Sequence, residues 1–127
     1  MDRARPDPRV RHHKEPSVPD QNNVISGNQY EQVAGNSTCS VGGDQSVQVG
    51  RNVVERVVAH KNLNVGKTLY ITAGDEVVIV VGAASLTMKK DGTIVLKGKD
   101  ITLDASGKVN VKASGDLVMK GNKVLQN

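Results

Sequence analysis

The sequence predicts an all-β protein, a trimeric three-stranded intertwined β-helix that forms a needle-shaped prism from octad repeats. Three observations predict it: one apolar position recurs every eight residues, apolar and polar residues alternate between these positions, and a glycine follows most of them. A fixed repeat takes precedence over other signals, because each repeat is one structural unit that buries its apolar side by stacking on its neighbours. The recurring position holds Ile25, Val33, Val41, Val49, Val57, Val65, Ala73 and Val81.

The composition indicates a narrow core. The 127 residues include two tyrosines and neither phenylalanine nor tryptophan, while 13 are glycine. Aromatic side chains bury roughly 150–250 Å² each and fill wide cores. A core made mostly of valine, leucine and isoleucine must therefore be thin.

Alternation between the repeats indicates short strands. Apolar residues fall on odd positions and mostly polar residues on even positions, and after Gly98 this pattern is cleanest. Successive side chains of a strand point to opposite faces, so alternation is typical of half-buried strands. We expect the periodic glycines to provide the backbone freedom for a corner between one strand and the next.

The chain divides by composition into two parts. Residues 1–21 contain all four prolines and mixed charges without apolar periodicity, which predicts a disordered linker. His12 and His13 are adjacent but lack a third ligand at a fixed spacing, so we predict no metal site there. Residues 22–127 are predicted to form the octad-repeat needle.

Between residues 51 and 62 the sequence leaves an alternative open. Val58 stands where the pattern expects glycine, and together with Val53, Val54 and Val57 it also fits one stripe of a helix. We favour a strand, because the eight-residue position continues through this stretch.

The phase of the alternation also slips before Gly92. Leu86 and Met88 fall on even positions, and Lys89 falls on a position expected to face inward. The Asp91–Gly92 pair is a strong turn signal, so we expect a tighter corner or a short hairpin here.

The residues exclude several classes of function. Lysines and acidic residues are interspersed at a net charge of +4 without aromatic clusters, which indicates a solvated surface and no nucleic-acid site. The longest apolar run, 77–81, is far below the roughly 20 residues of a membrane span. His60 has no nucleophile at a recognisable spacing, and the carboxylate pairs lie at repeat corners. We therefore predict no enzyme activity, no cofactor and no metal.

Shared winding of three chains satisfies this pattern. Eight residues are too few for one chain to complete a turn of its own, whereas three chains can each contribute one face, with strands paired between chains. The expected assembly is an obligate homotrimer. The predicted trimer core comprises Ile25, Val33, Val41, Val49, Val65, Ile71, Val77, Ile79, Ile101, Leu103, Val109, Val111, Leu117 and Met119.

Three further residues also fall on inward positions. Cys39, the single cysteine, is expected to act as a small buried apolar residue, and it has no partner in the chain for a disulfide. Glu31 and Glu55 would bring like charges together near the axis. Such charges must be protonated, paired or hydrated, so we expect water or an ion there, or a local departure from the β-helix.

The second half of the chain contains the specific strings Gly74-Asp75-Glu76, Met88-Lys89-Lys90-Asp91-Gly92-Thr93 and Lys112-Ala113-Ser114-Gly115-Asp116. Through these strings and the octads before them, residues 22–127 closely resemble the C-terminal region of VgrG, the spike protein of bacterial type VI secretion systems. The resemblance implies a trimeric β-helical needle that pierces a target envelope and carries effectors. Members of that family are longer, with hub domains before the needle, so we expect this chain to be a fragment or a shortened form.

The resemblance also implies partners and a location. A PAAR-type tip protein would sit on the C-terminal end of the needle, and hub domains and a tube protein would lie upstream. Assembly in the cytoplasm, delivery into a target cell and transient membrane penetration would follow. The alternatives are a passive trimeric stalk or adhesin-like fibre, and a lysine-rich polyanion-binding module. The predicted tip interface comprises Gly121, Asn122, Lys123, Val124 and Leu125.

Overall fold

A computed structural model describes residues 17–127 of the chain. The His12–His13 pair and most of the predicted linker lie outside the described residues. The chain divides at Arg56 and Val57 into two units. Of these, the structure describes 17–56 in the first and 57–127 in the second.

All regular secondary structure of the described residues is β. The strands are β1 (Glu76–Val81), β2 (Ala84–Lys89) and β3 (Ile94–Lys97), and they form one antiparallel sheet in the order β1-β2-β3. We call residues 76–97 the meander, and residues 22–75 and 98–127 the octad segments. The all-β prediction is confirmed. The helical alternative for 53–58 is wrong, because that stretch contains no helix, and the favoured strand is not formed within the single chain either.

No helix in the described part of the chain has the length and apolar character needed to cross a membrane.

A two-residue turn joins β1 to β2. Val81 pairs with Ala84, which leaves Gly82 and Ala83 as the loop. Gly82 has a φ of 53°, whereas the φ of Ala83 is not positive. A positive φ at the first loop residue alone defines a type II′ turn, whose twist matches that of the flanking strands and whose first position favours glycine.

A tight turn joins β2 to β3, with three residues between the hydrogen-bonded pair Lys89 and Thr93. The N–H of Gly92 donates to the carbonyl oxygen of Lys89 at 3.0 Å, and the N–H of Lys89 donates to the carbonyl oxygen of Thr93 at 3.0 Å. Gly92 has a φ of 91°. This is the hairpin loop in which glycine takes the left-handed position. The hairpin expected at Asp91–Gly92 is confirmed.

Outside the meander the described backbone has neither helix nor strand and bends at regular intervals. Seven successive bends lie eight residues apart, and the two hairpin turns begin at Gly82 and Lys90, on the same spacing. After the meander the bends resume close to that register. The bends occupy residues 26–27, 34–35, 42–43, 50–51, 58–59, 66–67, 74–75, 99–100, 106–107 and 114–115.

The expected role of glycine at the corners requires a correction. Among the described residues, only Gly82 and Gly92 have a positive φ, so the other corner glycines do not use the conformations open to glycine alone. The bend at 58–59 consists of valine and alanine. Glycine also changes place within a fixed bend, since Gly43 is the second residue of its bend and Gly50 the first. The position of the bend is therefore constant and does not depend on glycine.

No described residue of the single chain is buried. The octad apolar positions from Ile25 to Val65 nevertheless share one environment, each with an exposed fraction of 43–49%. Other valines are far more exposed, such as Val24 at 91% and Val58 at 107%. The repeated position is thus equivalent in successive repeats of each unit, although nothing in the described part of the chain covers it completely.

Candidate assembly surface

The pairing of the meander strands assigns every side chain to one of two faces. Residues that are directly opposite in an antiparallel pair lie on the same face of the sheet. Val77 pairs with Met88, Ile79 with Leu86, and Leu86 in turn with Leu96. One face is therefore entirely apolar. This apolar face comprises Val77, Ile79, Val81, Ala84, Leu86, Met88, Ile94 and Leu96.

The opposite face carries the charges of the sheet. Glu76 is paired with Lys89, so opposite charges stand across from each other, an arrangement that favours this pairing. We call this the polar face, and its members are Glu76, Val78, Val80, Ser85, Thr87, Lys89, Val95 and Lys97. Lys89 was expected to face inward with the apolar residues, and this is wrong. Its neighbour Met88 lies on the apolar face, so Lys89, paired with Glu76, lies on the opposite face.

Chain reversal explains the slipped phase. In β1 the odd-numbered residues form the apolar face, but antiparallel pairing places odd residues of β1 opposite even residues of β2. Leu86 and Met88 are therefore in phase with Ile79 and Val77. Ile94 and Leu96 belong to the same face and were missed by the sequence analysis. The two-residue loop at Gly82 was the signal that could have revealed them, because it reverses the chain and changes the parity.

The apolar face is accessible in the single chain. Val77 and Leu86 are half-buried, whereas Ile79 and Leu96 have exposed fractions of 55% and 56%. A shallow depression near the first turn is lined mainly by apolar side chains from all three strands, with Ser85 and Lys97 at its margin. Contiguous exposed apolar surface of this kind marks an interaction site.

Beyond the last residue pair of β1 and β2, next to the second turn, Lys90 contacts Asp75 through both its backbone and its side chain. The N–H of Lys90 donates to the carbonyl oxygen of Asp75 at 2.9 Å, which extends the β1–β2 pairing by one residue. The Lys90 Nζ lies 3.2 Å from the Asp75 Oδ1. Both side chains are largely exposed, so this ion pair contributes little to stability.

Asp91 holds the turn itself. Its Oδ1 accepts the backbone N–H of Thr93 at 2.9 Å. This hydrogen bond, together with one to the Thr93 side chain, lowers the pKa of the Asp91 carboxyl below its ordinary value. A carboxylate that accepts hydrogen bonds is stabilised in its charged form.

The remaining predicted core residues lie in the octad segments. Val111 and Leu117 have exposed fractions of 62% and 58% in the single chain. Nothing within residues 17–127 buries either side chain, so their convergence in a core remains a prediction. Cys39 is likewise exposed, as are Glu31 and Glu55.

The predicted tip interface follows the last octads. The backbone bends at Asn122, and Val124 and Leu125 are exposed at 58% and 82%. A side chain at Gly121 would meet the carbonyl oxygen of Lys123 at 3.6 Å, which is ordinary contact. The structure therefore places these residues in one short exposed segment, and their role as an interface remains a prediction.

Across residues 17–127, no group of three or more histidine, cysteine, aspartate or glutamate side chains is arranged to hold a metal ion.

The apolar face of the meander is suited to packing against another apolar surface.

Comparison with known proteins gives one specific relative. No family model matches the chain. A stretch of 57 residues is 44% identical to the type VI secretion system spike protein VgrG1b of Pseudomonas aeruginosa. The match covers 45% of this chain and 8% of that relative. The chain thus contains a VgrG-like region, similar to part of a type VI secretion spike.

Proposed function

We propose that this chain is a structural spike segment that acts as a homotrimeric β-helical needle in a type VI secretion system. The likeness to VgrG1b over 57 residues is the observation that supports this function most directly. In this role the chain is not an enzyme. It transmits force through a stiff shaft, pierces the target envelope and carries a tip protein and effectors. Assembly takes place in the cytoplasm before delivery into the target cell.

The physical case for a trimer is the uncovered apolar surface. The described chain buries no residue completely, yet it presents an apolar face of eight side chains in the meander and a half-exposed apolar position in the octads. Covering a leucine, valine or isoleucine side chain contributes roughly 1.5–3 kcal/mol. A chain with this surface gains its stability by association, and three copies can enclose a thin core with one face each.

Backbone hydrogen bonding also supports association of several copies. Strand pairing within the described chain is confined to 76–97, while the octad segments contain neither helix nor strand. Extended backbone needs partners for its N–H and carbonyl groups when it is buried. Strands of neighbouring copies supply these partners in a three-stranded β-helix, and the resulting continuous hydrogen bonding would give the shaft its stiffness.

The molar mass in solution tests the assembly. Light scattering during size-exclusion chromatography should give three times the chain mass of 13.5 kDa. A monomeric chain at micromolar concentration would overturn the proposal.

Capture by a PAAR-type tip protein tests the secretion role. We expect the trimer to bind an immobilised tip protein, and Leu125→Asp to abolish binding while the trimer persists. Ser114→Asp, an exposed substitution at a bend outside the proposed interface, should leave binding unchanged. A trimer that binds no tip protein would favour the passive stalk.

A further inference from the structure

We propose that the apolar face of the meander is a docking surface for further copies of this chain, and that this contact fixes the register of the octad segments between copies. The inference rests on the proposed trimer. It assigns to residues 76–97 a task that the octad segments cannot perform.

The octad segments alone leave the register open. Their apolar position recurs every eight residues in an equivalent environment, at 43–49% exposure from Ile25 to Val65. If one copy slides by eight residues against another, each apolar position again meets an apolar position. Register is weakly specified wherever the pattern of side chains repeats in this way.

The meander occurs once and has no equivalent in the repeats. Its strands pair within the chain, so each copy presents a complete sheet before it meets another copy. None of the eight residues of its apolar face is charged, whereas Glu76, Lys89 and Lys97 all lie on the polar face. A slip of eight residues would place this three-stranded face against an octad that contains no paired strands.

Continuity with the octads identifies the occupant as a second copy of the chain. Val81 belongs both to the apolar face and to the eight-residue series that includes Val57 and Val65. The surface on the meander therefore continues the same row that the proposed trimer buries. If a different partner covered the apolar face, Val81 would contact that partner while Val57 and Val65 of the same series contacted other copies of the chain.

Pulsed electron paramagnetic resonance between spin labels tests the register. The reporter is Asn110→Cys in a Cys39→Ser background, because Asn110 is exposed and Cys39 is the single cysteine. Three copies in register place the three labels at equal separations, so the starting protein should give one narrow distance. The test variant is Leu86→Ala with Leu96→Ala on the apolar face, and the control is Val78→Ala with Val95→Ala on the polar face of the same sheet.

Both pairs truncate two apolar side chains of the meander to alanine, but only the first pair lies on the apolar face. We expect the Leu86/Leu96 variant to lose the single distance and gain a second population, and the Val78/Val95 variant to keep the single distance. Dissociation of the first variant alone supports docking, and Leu86→Val with Leu96→Val then reports the register. One narrow distance in both variants, or the same disturbance in both, would overturn the inference and leave the proposed function intact. A monomeric starting protein would overturn the proposed function itself.

Discussion

The meander and the octad segments share an eight-residue spacing and satisfy their backbones in different ways. In the meander the chain reverses at Gly82 and again after Lys90, so its strands pair with each other. In the octad segments the backbone bends at the same interval, and the structure assigns no strand and no strand pairing there. The two turns of the meander each contain a glycine with a positive φ, whereas no bend of the octad segments does. This backbone conformation accompanies the pairing of strands within the chain.

This difference separates local stability from stability by assembly. Antiparallel pairs joined by short turns form contacts at small sequence separation, which are the least costly in chain entropy. In the proposed trimer, the octad segments gain strand pairing only when another copy is present. We therefore expect substitutions in the meander to act on the single chain and on the assembly, and substitutions in the octads to act on the assembly alone.

The largest effect is expected from a charge in the proposed core of an octad. Val111→Asp would place three carboxylates near the axis of the trimer, and an unpaired buried charge costs several kcal/mol. The molar mass should fall from trimer to monomer. Asn110→Asp, one residue away on the other face, should remain trimeric. A trimeric Val111→Asp protein would contradict the predicted core.

A smaller loss of stability is expected from a substitution in the second turn of the meander. Gly92 has a φ of 91°, where a side chain costs about 1–3 kcal/mol, so Gly92→Ala should lower the thermal unfolding temperature.

Gly74→Ala is the control, since its φ is not in that region and an added Cβ meets nothing within 4 Å in the single chain. We expect its unfolding temperature to stay close to that of the parent. An equal loss in both variants would show that contacts between copies, and not the backbone of the chain itself, determine the corner glycines.

Acid should weaken the meander through Asp91. Because hydrogen bonds from Thr93 lower the pKa of this carboxyl in the folded state, its contribution is fully present above the unfolded-state pKa. The contribution is lost as the pH falls through the lower folded-state pKa. Asp91→Ser, which has no charge to lose, should therefore be less sensitive than the parent to a change from pH 7 to pH 3.

Carboxyl titration by nuclear magnetic resonance checks the cause. Thr93→Val keeps the backbone N–H, which is the larger influence, and removes the hydroxyl. The pKa of Asp91 should rise only part of the way toward its ordinary value. An unchanged pKa would show that the hydroxyl has no part in it.

The smallest effect is expected for the ion pair at the edge of the sheet. Lys90→Gln removes the charge that lies 3.2 Å from the Asp75 carboxylate, but the two side chains are 72% and 87% exposed. Exposed pairs contribute about 0–1 kcal/mol, so urea unfolding should barely change. A loss as large as that of Gly92→Ala would indicate that assembly buries this edge.

The sequence by itself determined the β class, the eight-residue interval and the hairpin at Asp91–Gly92. These follow from local rules, since alternation reports on strand faces and an Asp-Gly pair favours a turn. It also pointed to Val77 and Ile79 as members of an apolar surface, and strand β1 places both on the apolar face.

Only the tertiary structure decided which side chains share a face after the chain reverses. Leu86, Met88 and Lys89 were out of phase when counted along the sequence, because a period-2 pattern assumes that the strand continues in one direction. The type II′ turn at Gly82 couples odd residues to even ones, which moves Lys89 to the polar face and brings Leu86 beside Ile79. Whether odd or even residues of β2 join the apolar face depends on which residues pair across the turn. A pattern counted along the sequence does not contain that information.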